Sequence, residues 1–312
     1  MKCLFCYKQL GVNETDFHTS CSKKFFGQPQ PPVLPHTENE LEKLAVEVLK
    51  TQTTIPGVQA KISLHLESGN QRNTPKKFTI VGLWGGYILK PPSPYYSQLP
   101  EVEDLTMHMA TDAKIQVVPH SLIRMKSGNL AFITKRIDRK GKSKIHMEDM
   151  CQLNERLTEE KYHGSYEQIG KAIQKFSANP GLDLVNFSEL VLFSFLTGNA
   201  DMHLKNFSLI HQPELGVVLS PAYDLLATAL VNPADDEDLA LTLNGKKKKI
   251  NQNDFSAFFK TLKLDTKQQE NIFKKMVTSK TKWVKRIDES FLTDEFKSEY
   301  KLLIYKRFNR LR

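Results

Sequence analysis

The sequence predicts an α+β protein of two lobes, a small β-rich one over residues 37–137 and an α-helical one over residues 138–312. Three observations lead there. Apolar residues alternate with period two in short segments before Asp138 and recur at helical spacing in long segments after it. A length of 312 residues exceeds one ordinary domain and suffices for a sizeable core. A composition of 40% hydrophobic and 25% charged residues is that of a soluble globular protein and excludes disordered and fibrous classes.

Each element has its own warrant. Residues 1–27 form a small unit with three of the four cysteines, and Pro29, Pro31, Pro32 and Pro35 make 28–36 an extended linker. Leu41, Leu44, Ala45, Val48 and Leu49 predict a helix over 37–50. Residues 59–67 alternate as a strand, with Ile62, Leu64 and Leu66 on one side. Strands follow at 78–81 and 87–89 around the Gly85–Gly86 turn, then a helix over 100–113 and a strand over 130–134. Strands and one helix make an antiparallel lobe joined to the next near 135–139. Beyond lie helices over 165–176 and 187–197, strands over 207–210 and 215–220, and helices after Asn251. Residues 190–196 are apolar nearly all round, which marks a buried central helix. Thr293-Asp294-Glu295 is a helix start. A cleft between such lobes is the natural ligand site.

Charge and cysteine usage narrow the classes. The net charge is +9, and residues 246–312 hold 19 of the 44 basic and 8 of the 35 acidic residues. That region reads either as a solvated helical face or as a surface for nucleic acid or an acidic partner. The longest apolar run, 190–196, is broken by Ser194 and falls far short of the roughly 20 residues a membrane span needs. The residues after Met1 carry no apolar secretory core, and four cysteines make no disulfide scaffold, so a cytoplasmic protein is expected.

The strongest chemical signal is residues 198–206, Gly-Asn-Ala-Asp-Met-His-Leu-Lys-Asn, between the buried helix and a strand. Asp201 and Asn206 stand at the interval of a protein-kinase catalytic loop, where an Asp orients the attacking hydroxyl and an Asn holds magnesium. Asp224 follows a strand and suits a second magnesium carboxylate; as the bland alternative it caps a helix over 225–230. Lys90 ends a strand, where a kinase keeps its phosphate-pairing lysine, and Glu103 on the next helix can hold it by an ion pair; alone, Lys90 reads as an exposed strand-end charge. The loop 53–61 has one glycine and no GxGxxG pattern. At the amino terminus Cys3-x2-Cys6 and His18-x2-Cys21 offer four zinc-capable ligands, the alternative being small buried cysteines and a capped turn. Cys151 is alone and reads as core.

Taken in order, these motifs resemble the HipA family of bacterial serine/threonine kinase toxins. The resemblance is carried by Ile55-Pro56-Gly57-Val58-Gln59-Ala60-Lys61, Ile88-Leu89-Lys90-Pro91, Leu99-Pro100-Glu101-Val102-Glu103, residues 134–139 and His146-Met147-Glu148-Asp149. It continues through residues 199–206, Ser220-Pro221-Ala222-Tyr223-Asp224 and residues 241–246. It implies a two-lobed protein-kinase-like fold and an ATP- and Mg2+-dependent protein kinase. Asp201 becomes the catalytic base, with His203 and Lys205 beside it, and Asn206 and Asp224 the magnesium ligands. Thr54, Gly57, Val58, Gln59, Lys61, Lys90 and Glu103 become the nucleotide site, and the backbone of Lys135 and Ile137 the adenine hinge.

Two departures from the family pattern stand out, and the first points to the shorter HipT form. Full-length members carry an extra subdomain of about a hundred residues ahead of the glycine loop, where this sequence has some 50; in the HipT system a separate small protein, HipS, supplies it beside the DNA-binding HipB. Thr54, followed by Ile55-Pro56, stands where the family has an autophosphorylated serine, and the proline stiffens that loop. The expected partners are a HipS-like protein, a HipB-like antitoxin through which DNA is bound indirectly, and a protein substrate such as an aminoacyl-tRNA synthetase. No membrane partner is expected. The rival readings are a small-molecule phosphotransferase of the same fold and a non-catalytic nucleic-acid-binding regulator built on the zinc module and basic region.

Overall fold

The computed structural model describes residues 1–48, 61–67, 76–81, 85–141 and 143–311. In chain order the elements are α1 Thr19–Phe26, α2 Glu38–Val48, β1 Ile62–Leu66, β2 Phe78–Ile80, β3 Tyr87–Lys90, α3 Leu99–Asp112, β4 His120–Arg124, β5 Leu130–Lys135, β6 Arg139–Lys140, β7 Ser143–Lys144 and β8 Met147–Asp149. Then come α4 Met150–Leu153, α5 Tyr166–Phe176, α6 Pro180–Thr197, β9 Ser208–Gln212, β10 Gly216–Leu219, α7 Thr228–Val231, α8 Gln252–Thr261, α9 Thr266–Glu289 and α10 Asp294–Asn309. They form two compact units. Unit 1 is Met1–Asp104, Val118–Ser143 and Glu289–Phe291; unit 2 is Leu105–Val117, Lys144–Asp288 and Leu292–Arg312.

Unit 1 is built on an antiparallel five-stranded sheet in the order β2-β1-β3-β5-β4. Register sets which side chains share a face: Leu64 sits opposite Ile80 and Tyr87, Leu89 opposite Ile133, and Lys90 opposite Phe132. Leu64, Tyr87, Leu89 and Ile133 join Cys3, Leu4, Phe17, Phe25 and Phe26 in one apolar cluster. Phe25 and Phe26 are 1% and 5% exposed, and burying each such ring is worth about 1.5–3 kcal/mol. Residues 1–27 therefore share the core of the sheet instead of forming a core of their own. The proline segment is also strapped down: Val33 N–H donates to Lys76 O (3.0 Å) and Val33 O accepts from Phe78 N–H (3.3 Å). Strand β4 was not foreseen. Its first four residues are all buried, so His-Ser-Leu-Ile shows no alternation to read.

Unit 2 is organised round α6, whose residues from Phe187 to Thr197 are all buried. Phe187 meets Phe258, Phe193 meets Trp283 and Phe195 meets Phe255, with ring centroids 6.0, 5.4 and 5.4 Å apart. The helix starts seven residues before the expected 187 because Pro180 at its first turn lacks only an N–H that no helix start uses. A Ser165–Gln168 capping box starts α5, and the Thr293 hydroxyl caps α10, as its sequence predicts. Asp224 does not start a helix: α7 begins at Thr228, with Ala227 at the cap position. The C-terminal helix is fastened by Asp238, whose carboxylate takes Arg307 and, at 2.5 and 2.9 Å, Arg310. Burial alone would raise the Asp238 pKa, but the two arginines outweigh it and lower it. Much of the basic surplus in residues 246–312 is likewise engaged, for Lys246, Lys248, Lys275, Arg286 and Lys301 all hold acidic partners. Among the described residues no helix is long and apolar enough to cross a membrane.

Candidate active site

In unit 1 the expected lysine stands where the strand ends. Lys90 closes β3, and its Nζ donates to Glu103 Oε1 at 2.5 Å from the first turns of α3. Lys90 is 5% and Glu103 0% exposed, so each charge is taken from water and held by the other. The reading of Lys90 as an exposed strand-end charge does not hold. The ammonium also lies 5.5 Å from the Phe132 ring centroid, across the ladder on β5. Of the other nucleotide residues expected in this unit, Lys61 is exposed just ahead of β1, while Thr54, Gly57, Val58 and Gln59 lie outside the described residues. The Lys135 N–H is committed to Pro119 O at 2.9 Å, and its side chain lies over the Phe25 ring, where burial lowers its pKa. Ile137, the other residue expected at the adenine hinge, is half-buried and follows β5. A cavity of about 560 Å³ is lined by Tyr87, Lys135, Arg136 and Arg139, but Arg136 and Arg139 are both engaged by Asp138.

In unit 2 the backbone of the loop after α6 is fixed by hydrogen bonds, most of them to side chains. Gly198 ends the helix in the left-handed region (φ 72), and a Cβ there would come within 2.7 Å of Leu303 Cδ2. Asn199 is fully buried, and its Oδ1 accepts from Asp201 N–H at 3.1 Å. Ala200 N–H donates to Thr228 Oγ1 at 2.8 Å. The Asp201 carbonyl accepts from His203 N–H (2.8 Å) and from Asn206 Nδ2 (2.9 Å). These bonds leave the Asp201 side chain half-exposed at the head of the loop. Committing Nδ2 to that carbonyl orients the Asn206 amide and turns the hard donor Oδ1 away from it, which suits magnesium. Asp224 follows Tyr223, whose hydroxyl donates to Lys205 O at 3.0 Å and lies 2.5 Å from Ser208 Oγ. Asp224 itself has φ 56, a left-handed conformation that Asp tolerates and that is common at functional sites.

His203 is buried, its ring edge-on to Tyr162 at 5.0 Å. Lys205 Nζ is held by Asp149 Oδ2 at 2.7 Å, and Asp149 also caps α4, so this lysine props the loop. One partner of Asp201 escaped the sequence reading. Tyr162 donates its hydroxyl to Asp201 Oδ1 at 2.7 Å from 39 positions upstream. Burial, and then the Asp201 charge, push its pKa up, which keeps it a phenol and a donor. No local pattern announces such a partner.

The structure also gathers the amino-terminal quartet. One ligand atom each of Cys3, Cys6, His18 and Cys21 lie within 4.8 Å of one another, and none of the cysteines is in a disulfide. Burial, and then Cys3 beside it, push the Cys21 thiol up to about 12. Cys151 is buried in α4, as expected of a core cysteine.

Residues 53–284 match the HipA-like C-terminal domain. The "Putative kinase Y4dM" of Sinorhizobium fredii is 32% identical over 209 residues, covering 63% of this chain and 50% of that protein. The "Putative kinase" of Haemophilus influenzae is 27% identical over 232 residues, covering 70% of this chain and 64% of that one. The chain thus spans between half and two thirds of the length of these relatives. Among solved structures, HipA of the Shewanella oneidensis toxin–antitoxin system, in complex with HipB and operator DNA, superimposes with a TM-score of 0.69 at 21% identity, over 91% of this chain and 72% of that one. The Helicobacter pylori proinflammatory kinase CtkA does so with a TM-score of 0.56 at 15% identity, over 80% of this chain and 93% of that one. Both likenesses establish the expected mixed α+β, protein-kinase-like fold. Because the family match runs unbroken through Lys90, Glu103, the Asp201–Asn206 loop and Asp224, the chain belongs to the HipA-like C-terminal domain family.

Proposed function

We propose that this protein is an ATP-dependent serine/threonine protein kinase and serves as the toxin of a toxin–antitoxin system. The observation that carries the kinase reading is the buried Lys90–Glu103 pair, together with an Asp201 loop whose backbone is pinned while its carboxylate stays half-exposed. A buried lysine held by a buried carboxylate is a fixed point charge for nucleotide phosphates. Tyr162 holds Asp201 Oδ1, so Oδ2 is the oxygen to accept the proton of the incoming hydroxyl. Asn206 Oδ1 and the Asp224 carboxylate would hold Mg2+. When bound, the ion neutralises charge on the transferred phosphoryl group. His203 packs under Tyr162 and steadies it, and Lys205 props the loop through Asp149.

The toxin role and the partners rest on the family and on the fold shared with a HipA that assembles with HipB and operator DNA. A HipB-like DNA-binding protein and a HipS-like small protein, the pairing of the short HipT form, are the proposed partners. A translation component such as an aminoacyl-tRNA synthetase is the proposed substrate. The test is transfer of label from γ-labelled ATP to protein, with phosphopeptides mapped by mass spectrometry in cells expressing the wild type or Asp201→Asn. Mg2+-dependent phosphoserine or phosphothreonine that vanishes in the variant supports the reading. Label appearing only on small molecules, or equally in both strains, overturns it. Co-purification from the native operon checks the two partners.

A further inference from the structure

We propose that Cys3, Cys6, His18 and Cys21 bind one Zn2+ ion, and that this ion braces the Glu103 helix through Tyr7. The four residues precede the stretch that matches the family, so the family chemistry does not account for them. Their geometry fits zinc. Cys6 Sγ lies 3.4 Å and Cys21 Sγ 3.6 Å from His18 Nδ1. A tetrahedral zinc with Zn–S near 2.3 Å and Zn–N near 2.0–2.1 Å sets sulfur and nitrogen about 3.5 Å apart. The histidine is already turned for the task. Its Nε2 lies 2.9 Å from Gln9 O, so Nε2 carries the proton and Nδ1 presents its lone pair to the thiols. Three sulfurs and one imidazole form a closed, soft donor set that selects zinc over magnesium or calcium. Packing of small apolar cysteines explains Cys3, which is fully buried, but not half-exposed Cys6 and Cys21 converging on a ring nitrogen. On binding, the thiols give up their protons to solvent and become thiolate ligands.

The knuckle reaches the proposed active site through one residue. Tyr7 follows Cys6, and its backbone is left-handed (φ 67) with its N–H bonded to Cys3 O at 2.9 Å. That turn aims the Tyr7 hydroxyl at Asp104 Oδ2, 2.7 Å away, and Asp104 Oδ1 takes His120 Nδ1 at 2.7 Å. Asp104 is the neighbour of Glu103 on α3. The knuckle is also tied to the sheet, where Leu4 O accepts from Ser121 Oγ at 3.3 Å. Zinc thus fixes the Tyr7 turn, Tyr7 and His120 clamp Asp104, and α3 holds Glu103 against Lys90. Tyr7 is a positioning residue.

The metal arm of the test stands without the kinase reading; the nucleotide arm rests on it. Full-length protein purified without chelator should contain about one zinc per chain by elemental analysis, and Co2+ in its place should give the intense absorption of tetrahedral thiolate coordination. Cys151→Ser should keep the metal and Cys6→Ser lose it. Metal-free wild type that is folded, or Cys6→Ser that retains full zinc, overturns the site. For the brace, Tyr7→Phe should keep its zinc yet bind Mg-ATP about 2- to 10-fold more weakly, the weight of one hydrogen bond. Extraction of zinc by a zinc-selective chelator in excess Mg2+ should weaken binding at least as much. Unchanged Mg-ATP affinity in both overturns the brace. A wild type that holds zinc but binds no ATP refutes the kinase reading and leaves the metal site standing.

Discussion

The two parts of the proposed chemistry are held by opposite means. In unit 1 Lys90 and Glu103 are sealed from water and depend on each other, a charge pair with exposures of 5% and 0%. In unit 2 the backbone of the Asp201 loop is fixed by Asn199, Thr228 and Asn206, while the carboxylate it carries remains half-exposed. The difference teaches where stability and chemistry are separable. Removing one member of a buried pair strands a charge, so fold and function fall together. Removing a half-exposed carboxylate from a loop that its neighbours already hold should cost chemistry alone.

The largest effect is therefore expected at Asp201. Asp201→Asn should lower phosphoryl transfer by roughly 10²–10⁴-fold, the scale of a lost general base, with an unchanged thermal midpoint. Next is Glu103→Leu, which should destabilise by about 3–5 kcal/mol in chemical denaturation because it breaks a buried ion pair by removing one of its charges. Adding Lys90→Met should recover most of that stability without recovering nucleotide binding; recovery of both would mean that the pair is purely structural. Gly198→Ala is smaller. The left-handed backbone alone costs about 1–2 kcal/mol, with the Leu303 contact adding to it, and a melt equal to wild type would contradict the account of the loop's start. Tyr162→Phe should be smallest, a 2- to 10-fold loss in transfer rate at unchanged ATP affinity, since it removes one orienting hydrogen bond.

The parts that the sequence disclosed share one property: their signal is local. Residues 190–196 of α6 are apolar nearly all round, the Asp201–Asn206 interval fits within one loop, and Lys90 ends an apolar strand. What escaped is set by contacts distant in sequence. Tyr162 finds Asp201 across 39 residues, and Lys205 finds Asp149 across 56. Strand β4 is buried along four successive residues, which erases alternation. Residues 1–27 look self-contained because the cysteines stand out, yet Phe17, Phe25 and Phe26 bury themselves against the sheet. Asp224 is legible as a residue and not as a conformation, because its positive φ is one that few L residues adopt and that its type alone does not announce.

The most direct test of the central claim is calorimetric titration of Mg-ATP into three proteins, the wild type, Asp201→Asn and the Lys90→Met/Glu103→Leu double variant, each assayed for phosphoryl transfer in parallel. The account predicts that Asp201→Asn binds within about 3-fold of wild type and transfers roughly 10²–10⁴-fold more slowly, less than 1 kcal/mol in binding against several in catalysis. It predicts that the double variant folds and fails to bind. Transfer at the wild-type rate by Asp201→Asn, or wild-type affinity in the double variant, would contradict it.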